Sequence, residues 1–463
     1  MTIWTPELPD HGPRYRALAQ AIERAITQGE LTPGEKLPPQ RRLADALGVT
    51  VGTITRAYAI AEQSGLVEAR VGSGTYVREK HAPSGFARVI STPYEGMIDL
   101  GMSLPPAHPE REATLARLLS AISQDPASLE TAIDYPLDNA QAPHQAHYAR
   151  WMTQQGLPVE ASELVLTQGG MNGISLAFSA LLSPGDRLAA ESLSYPGLIS
   201  AARQHELKMV TVPFDEQGID VTALAARHDR QPFKALYVMP EHHNPTTVQL
   251  SPGRREALVS LARARDFWLI EDGVMHLPPD ARGTPLYQLA PERTVFVFSV
   301  SKILAGGLRA GVMRAPAALR ERLLAAMRHQ CWTPPPLITG IVSRWLAEGD
   351  ADRLLAWQFE ELQRRQDMVR DTLEGFEVHM RPGGFYAWLE LPSEHRAASL
   401  VDELARQQVR VASAEVFCVG STAAPQAVRI CISAAPDRET LARALAIIRH
   451  TLLQPAPTRW QTV

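Results

Sequence analysis

The sequence predicts a small, mainly α-helical N-terminal domain followed by a large α/β domain with a parallel sheet. Three observations predict it. The first eighty residues hold three short amphipathic runs, then two β-like runs around a Gly-Ser-Gly tip. From about Met97 onward, short apolar runs alternate with helical patterns, as strands joined by helical crossovers do. Between these parts lies "EKHAPSGFARVISTPYEG", Glu79–Gly96. It has Pro, Gly and Ser without apolar periodicity and reads as a linker.

Composition sets the outer limits. A chain of 463 residues has room for two or three domains. Hydrophobic residues at 45% and charged residues at 21% are a globular balance. No window reaches the roughly 18 uninterrupted apolar residues that span a bilayer. The start, MTIWTPELPDHG, lacks the basic and apolar regions of a signal peptide. Cys331, Cys418 and Cys431 show neither metal-ligand nor disulfide spacing. They read as ordinary thiols in a reducing cytoplasm. A net charge of −4 excludes a wholly basic nucleic-acid coat, yet leaves room for a local DNA-binding face.

The first run, Arg14–Gln28, is amphipathic, with Leu18, Ile22, Ala25 and Ile26 on one side. "GELTPGEKLPP" breaks it. Gln40–Leu47 carries Leu43 and Leu47 inward, and Gly48-Val49 makes a tight turn. A third helix starts at Thr50, whose hydroxyl suits an N-cap. Its spacing puts Ile54, Ala57, Tyr58 and Ala61 on one face, leaving Thr53 and Arg56 on the other. "GLVEARVGSGTYV", Gly65–Val77, supplies two short strands. Helix, short helix, turn, helix and β-wing make a winged helix-turn-helix, whose third helix fits the major groove. Thr50, Gly52, Thr53 and Arg56 are its candidate DNA contacts, with Gly52 allowing close backbone approach. Arg41 is a candidate phosphate contact.

In the α/β part, strands are predicted at Leu164–Leu166, Arg187–Ala190, Ala235–Val238, Trp268–Ile270 and Val295–Phe298. Ligands bind such sheets at the carboxyl ends of the strands. "TQGGMNG" follows the first, bringing Gly169, Gly170 and Met171 to the start of a helix able to bind phosphate. Tyr195 follows the second, Asn244 the third and Asp272 the fourth. The fifth ends in Ser299-Val300-Ser301-Lys302, with Arg309 seven residues on. Each has a plain alternative: a glycine turn, a packing tyrosine, an Asp helix cap. Adjacent His242 and His243 point to opposite sides, so no metal site is expected.

Residues 37–77 resemble the DNA-binding domain of GntR-type bacterial repressors nearly end to end. The resemblance implies that Arg41, Thr50, Thr53 and the wing glycines Gly72 and Gly74 face DNA. It departs at Val51 and Thr55, where relatives carry arginine. Residues from about Ile98 to Leu453 resemble fold-type I, class I aminotransferases, with a large domain over 97–340 and a smaller α+β domain over 341–456. That resemblance implies pyridoxal 5′-phosphate (PLP) bound as an aldimine to Lys302. Asp272 would keep the ring nitrogen protonated, Asn244 would donate to the 3′ oxygen, and Tyr195 would stack on the ring. Gly169, Gly170, Met171, Ser299 and Arg309 would hold the phosphate. Arg429 would pair with a substrate carboxylate, and Tyr135 would reach the phosphate of a second subunit. It departs at Val274, where a tyrosine donor is usual, and in "NPTT" for the common "NPTG".

The combination resembles the MocR-type transcriptional regulators. It implies a cytoplasmic bacterial homodimer, head-to-tail, that binds a double-stranded DNA operator. An amine, an amino acid or a B6 vitamer would be its effector. The competing expectations are a working aminotransferase with an accessory winged helix, and a regulator that has lost the cofactor.

Overall fold

The computed structural model describes residues 4–6, 8, 13–28, 30–32, 34–63, 66–70, 74–77, 96–135, 141–420 and 422–454. Gly72 and nearly all of the expected linker 79–96 lie outside them. The chain divides into two compact units, Met1–Ser84 and Gly85–Val463. Among the described residues no helix is long and apolar enough to cross a membrane.

In the first unit, α1 (Arg14–Gln28), α2 (Gln40–Leu47) and α3 (Val51–Gln63) precede the antiparallel strands β1 (Val67–Arg70) and β2 (Gly74–Val77). The turn after α2 works because Gly48 adopts φ 62, the left-handed geometry that closes a helix C-terminus. Leu18, Ile22, Leu43, Ile54, Ala57, Tyr58 and Ala61 share one core, as the 3.6-residue spacing predicts. The Tyr58 hydroxyl satisfies itself on the Pro38 carbonyl at 2.8 Å.

The second unit opens with β3 (Ile98–Asp99). Its central elements are β4 (Leu164–Thr167), α4 (Gly170–Leu181), β5 (Arg187–Glu191), α5 (Pro196–Gln204) and β6 (Lys208–Val212). They continue with β7 (Ala235–Val238), β8 (Trp268–Asp272), β9 (Thr294–Ser299) and β10 (Gly311–Arg314). These strands form a seven-stranded sheet in the order β4-β10-β9-β8-β7-β5-β6. Strand β9 shows why the sheet needs cover on both faces. Phe296 and Phe298 pack into one core with Trp151 and Trp345, while Val295 and Val297 pack into another with Ile174 and Phe178.

The expected parallel sheet is mixed at one strand. β10 runs antiparallel to both β9 and β4. Residues 300–310 are too few for the helical crossover that a parallel return requires, so the chain folds straight back. That return brings Arg309 to the same edge as Lys302.

The long helix α6 (Asp350–Thr372) leads into a four-stranded sheet ordered β11-β12-β15-β14. Its strands are β11 (Glu377–His379), β12 (Ala387–Glu390), β14 (Ala412–Ser413) and β15 (Ala427–Ile430). The short β13 (Val409–Arg410) pairs in parallel with β3. Arg365 of α6 is buried and holds the turn after β15. It donates to Glu361 at 2.8 Å and to the carbonyls of Ile432, Ser433 and Ala435 at 3.0, 3.2 and 2.8 Å. Arg365→Ala leaves the buried Glu361 carboxylate with the more distant Arg438 at 3.6 Å and frees that turn. It is expected to cost about 3–5 kcal/mol in urea unfolding of the second unit.

Candidate functional site

On the first unit, the exposed side of α3 carries the predicted residues. Thr50 Oγ1 accepts from the Thr53 N–H at 3.3 Å and lies 3.0 Å from Thr53 Oγ1, which is the expected cap. A Cβ at Gly52 would meet nothing closer than Thr50 Oγ1 at 3.8 Å, so the helix start presents open backbone. Arg41 is exposed on α2. Arg56 is exposed too, with its guanidinium 5.6 Å from the Tyr15 ring centroid, a cation–π contact. Thr55 donates to Gln40 Oε1 at 2.7 Å and ties α3 to α2. In the wing, Gly74 has φ 121, and a Cβ there would run into Lys36 Cε at 2.6 Å.

In the second unit, ten predicted residues gather at the carboxyl edge of the sheet or beside it. Lys302 ends a 3₁₀ turn directly after β9. Its amine contacts the Ser103 carbonyl, and burial lowers its pKa to about 8. Asp272 ends β8 and caps no helix, since the next helical turn begins only at Pro279. Its Oδ2 accepts from the Tyr237 hydroxyl and its Oδ1 from the Val274 N–H at 2.9 Å. Burial raises its pKa, opposed by the Tyr237 bond, the Val274 N–H and the charge of Lys302.

Gly169 has φ 81, and a Cβ there would sit 3.0 Å from Arg309 Nη2. A Cβ at Gly170 would meet Val274 Cγ2 at 2.8 Å and Ser299 Cβ at 3.8 Å. The two glycines are thus the only residue type that leaves this cradle open beneath the N-terminus of α4. Ser299 Oγ lies 2.9 Å from Ser301 Oγ and 3.1 Å from the Ala310 carbonyl. The Tyr195 ring and Met171 Sδ both close on Gly197. Burial, with the Asp272 charge, pushes the Tyr195 phenol up to about 12.

Arg429 of β15 is 2% exposed. It donates to Asn244 Oδ1 at 2.6 Å and to the Gly101 carbonyl at 2.5 Å. Its guanidinium lies 4.8 Å from the Phe417 ring centroid and 5.3 Å from that of Tyr386. Asn244 begins the "NPTT" turn. Thr247 keeps the left-handed conformation (φ 66) that glycine would favour, held by its N–H on the His243 carbonyl at 2.8 Å. Tyr135 does not join this group. It is 82% exposed, edge-on to Trp332 with centroids 5.8 Å apart.

Residues 97–448 match the family "Aminotransferase class I and II", and residues 14–77 match "Bacterial regulatory proteins, gntR family". The chain belongs to the class I and II aminotransferase family. Fused to a gntR-family segment, it is of the MocR type, a transcriptional regulator with a DNA-binding winged helix. The HTH-type transcriptional regulator YdeF of Bacillus subtilis is 29% identical over 450 residues, 97% of this chain and 96% of that relative. The HTH-type pyridoxine biosynthesis transcriptional regulator PdxR of Corynebacterium glutamicum is 30% identical over 396 residues, 80% of this chain and 82% of that relative. Among solved structures, the α-aminoadipate aminotransferase LysN of Thermus thermophilus has a TM-score of 0.69 at 24% identity, covering 80% of this chain and 96% of that one. That likeness is one of fold.

The MocR-type assignment carries PLP as the cofactor, and the residues present fit it. The cradle that Gly169 and Gly170 leave open beside Arg309 suits a phosphate. The buried Asp272 carboxylate, held above its usual pKa, suits a pyridinium N–H.

Sequence reasoning missed several groups here. Tyr237 was the readable one, a hydroxyl-tipped residue inside the buried run "ALYV". Ser103 acts through its backbone carbonyl, which no residue pattern announces. Cys431, read as an ordinary thiol, lies 3.4 Å from Ser103 Oγ. Glu191, at the end of β5, is buried with Oε2 unpartnered, and burial lifts its pKa from 4.5 to about 8. Because the folded pKa is raised, its contribution to stability is complete below pH 4.5 and is lost as pH climbs to about 8. Glu191→Gln is expected to remove that decline. At pH 8 it should gain on the order of a few kcal/mol over the parent in denaturant titrations, with no gain at pH 4.5.

Proposed function

We propose that the chain is a regulator whose PLP domain senses a small amine and passes its occupancy to an operator-binding winged helix. The observation that carries this reading is the meeting of Lys302, Asp272, Arg309 and the Gly169–Gly170 cradle at one sheet edge, in a chain that begins with a winged helix. PLP supplies an aldehyde that exchanges between amines. Lys302 is the protein's own amine for that exchange. Its lowered pKa keeps a useful fraction of it uncharged near neutral pH. Asp272, aligned by Tyr237, holds a proton on the ring nitrogen, and Tyr195 covers the ring. Asn244 donates to the 3′ oxygen, and Ser299, Met171 and Arg309 complete the phosphate cradle.

Arg429 selects effectors that bear a carboxylate, since a guanidinium pairs with one bidentately. An amino acid fits this chemistry best, and the name of the pyridoxine-biosynthesis relative adds a B6 vitamer as the second effector class. Val274 supports sensing over turnover. It puts an apolar side chain where aminotransferases carry a tyrosine donor, and it packs on Gly170 instead. The dimer is proposed as head-to-tail. In its favour, Tyr135 and Trp332 form an aromatic pair left 82% and 57% exposed, which suits burial by a second copy and a Tyr135 hydroxyl reaching that copy's phosphate. The protein then works in the cytoplasm, at the nucleoid. The domains run over 1–78, 97–340 and 341–456, with 79–96 as connection.

At the operator, Arg41 holds a phosphate. Thr50, Gly52, Thr53 and Arg56 face the groove, with Gly74 and Gly72 in the wing. The exposed Val51 offers an apolar contact of the kind that reads a thymine methyl.

Two experiments test the reading. Lys302→Ala is expected to abolish the yellow colour and its bleaching by borohydride. Operator affinity should persist but cease to respond to amines. Rapid multiple-turnover conversion of amino acids to keto acids by the parent protein would sink the sensory reading. Separately, Arg41→Ala is expected to weaken operator binding and lower the slope of log affinity against log salt by about one, leaving the visible spectrum unchanged. Unchanged operator affinity would overturn the placement of the DNA face.

A further inference from the structure

One short segment holds two cations of the pocket, Arg429 and Lys302. The Gly101 carbonyl accepts from Arg429 Nη2 at 2.5 Å, and two residues on, the Ser103 carbonyl accepts from Lys302 Nζ. The segment is anchored on both sides of these contacts. Upstream, Asp99 Oδ1 takes the Gly101 N–H at 2.8 Å, and Asp99 Oδ2 faces Arg410 at 3.4 Å. Leu100 donates to the Arg410 carbonyl and accepts from the Cys431 N–H, both at 2.8 Å. Downstream, Arg111 binds the Pro106 carbonyl and donates to Gln358 Oε1 at 3.1 Å. Gln358 in turn donates to the Lys302 carbonyl at 3.0 Å.

Two of the five guanidinium N–H groups of Arg429 are in use, and its Nε is buried without a partner. Nη1 is on Asn244 and Nη2 is on Gly101. A carboxylate that pairs bidentately across Nε and Nη2 takes up the free Nε–H and competes with the Gly101 carbonyl for Nη2. The exchange favours the arginine, because an ionised carboxylate meets the guanidinium with a full opposite charge where a carbonyl offers only a dipole. Resting on the effector reading above, we infer that the strap Asp99–Pro106 is a built-in competitor of the effector carboxylate. Its release from Arg429 is the step that carries pocket occupancy toward the winged helix. The strap is well placed in the chain for this role. It starts just beyond residues 78–95, which join it covalently to the winged-helix unit.

The test is amide hydrogen exchange on the full-length chain with two probes that differ by a carboxylate. Pyridoxamine 5′-phosphate has none, whereas N-(5′-phosphopyridoxyl)-L-alanine has one. Both are expected to slow exchange at Gly169–Gly170. Only the alanine adduct is expected to speed exchange over residues 98–104, by about fivefold, the effect of losing one hydrogen bond. Asp99→Asn keeps an acceptor for the Gly101 N–H but drops the charge facing Arg410. It is expected to raise strap exchange without any probe and to tighten the adduct several-fold, leaving pyridoxamine 5′-phosphate affinity unchanged. Equal strap exchange with the two probes would overturn the competitor role while leaving the cofactor reading intact. Failure of both probes to protect Gly169–Gly170 would overturn the cofactor reading, and the strap inference with it.

Discussion

The second unit is organised around a buried guanidinium. Arg429 is 2% exposed, and a buried cation is tolerated only where acceptors surround it. Those acceptors come from two distant parts of the chain. Asn244 is supplied by the turn after β7, and Gly101 by the segment after β3. The ring of Phe417, just beyond β14, and that of Tyr386, just before β12, close on the guanidinium. The small sheet, the large sheet and the first strand of the unit therefore meet at one charged group. Arg365 supports this from behind, fixing through three carbonyl bonds the turn that leaves β15.

The second constraint is charge at the edge of the large sheet. Parallel strands deliver their carboxyl ends to one side, so Asp272, Ser299 and Lys302 emerge together. Burial there acts on the acid and the amine in opposite senses, raising the proton affinity of Asp272 and lowering that of Lys302. Each moves toward its neutral form, and each is drawn back by the other's charge. Tyr237 adds a donor to the carboxylate from inside the sheet. In the proposed reading, a pocket tuned in this way binds a phosphate-bearing aldehyde and exchanges amines on it. Val274 lies apolar against Gly170, and in that reading it gives less help with a phenolate oxygen than a tyrosine would. In the proposed reading, that shortfall suits a domain whose product is a change of shape.

Much of this was legible in the residues. The helices and wing of the first unit follow from 3.6-residue spacing, a left-handed Gly48 and a Thr50 cap, all local features. Five strands of the large sheet were legible for the same reason, as short apolar runs bounded by polar turns. The residues after those strands could be named because strand ends of one direction share an edge. Strand β10 was not legible as antiparallel, since direction depends on the room left by residues 300–310 and not on composition. Arg56 kept its predicted exposure, yet its partner Tyr15 lies one helix away.

The sequence by itself determined the two kinds of unit, the periodic cores within them and the residue types at the strand ends, because these are written in near neighbours. Only the tertiary structure decided what those side chains touch. It put the Gly101 and Ser103 carbonyls on Arg429 and Lys302, the Tyr237 hydroxyl on Asp272, and Tyr135 out in the open. The reason is physical. Backbone carbonyls look alike at every position of a sequence, and their partners, here as far apart as Gly101 and Arg429, are chosen by packing.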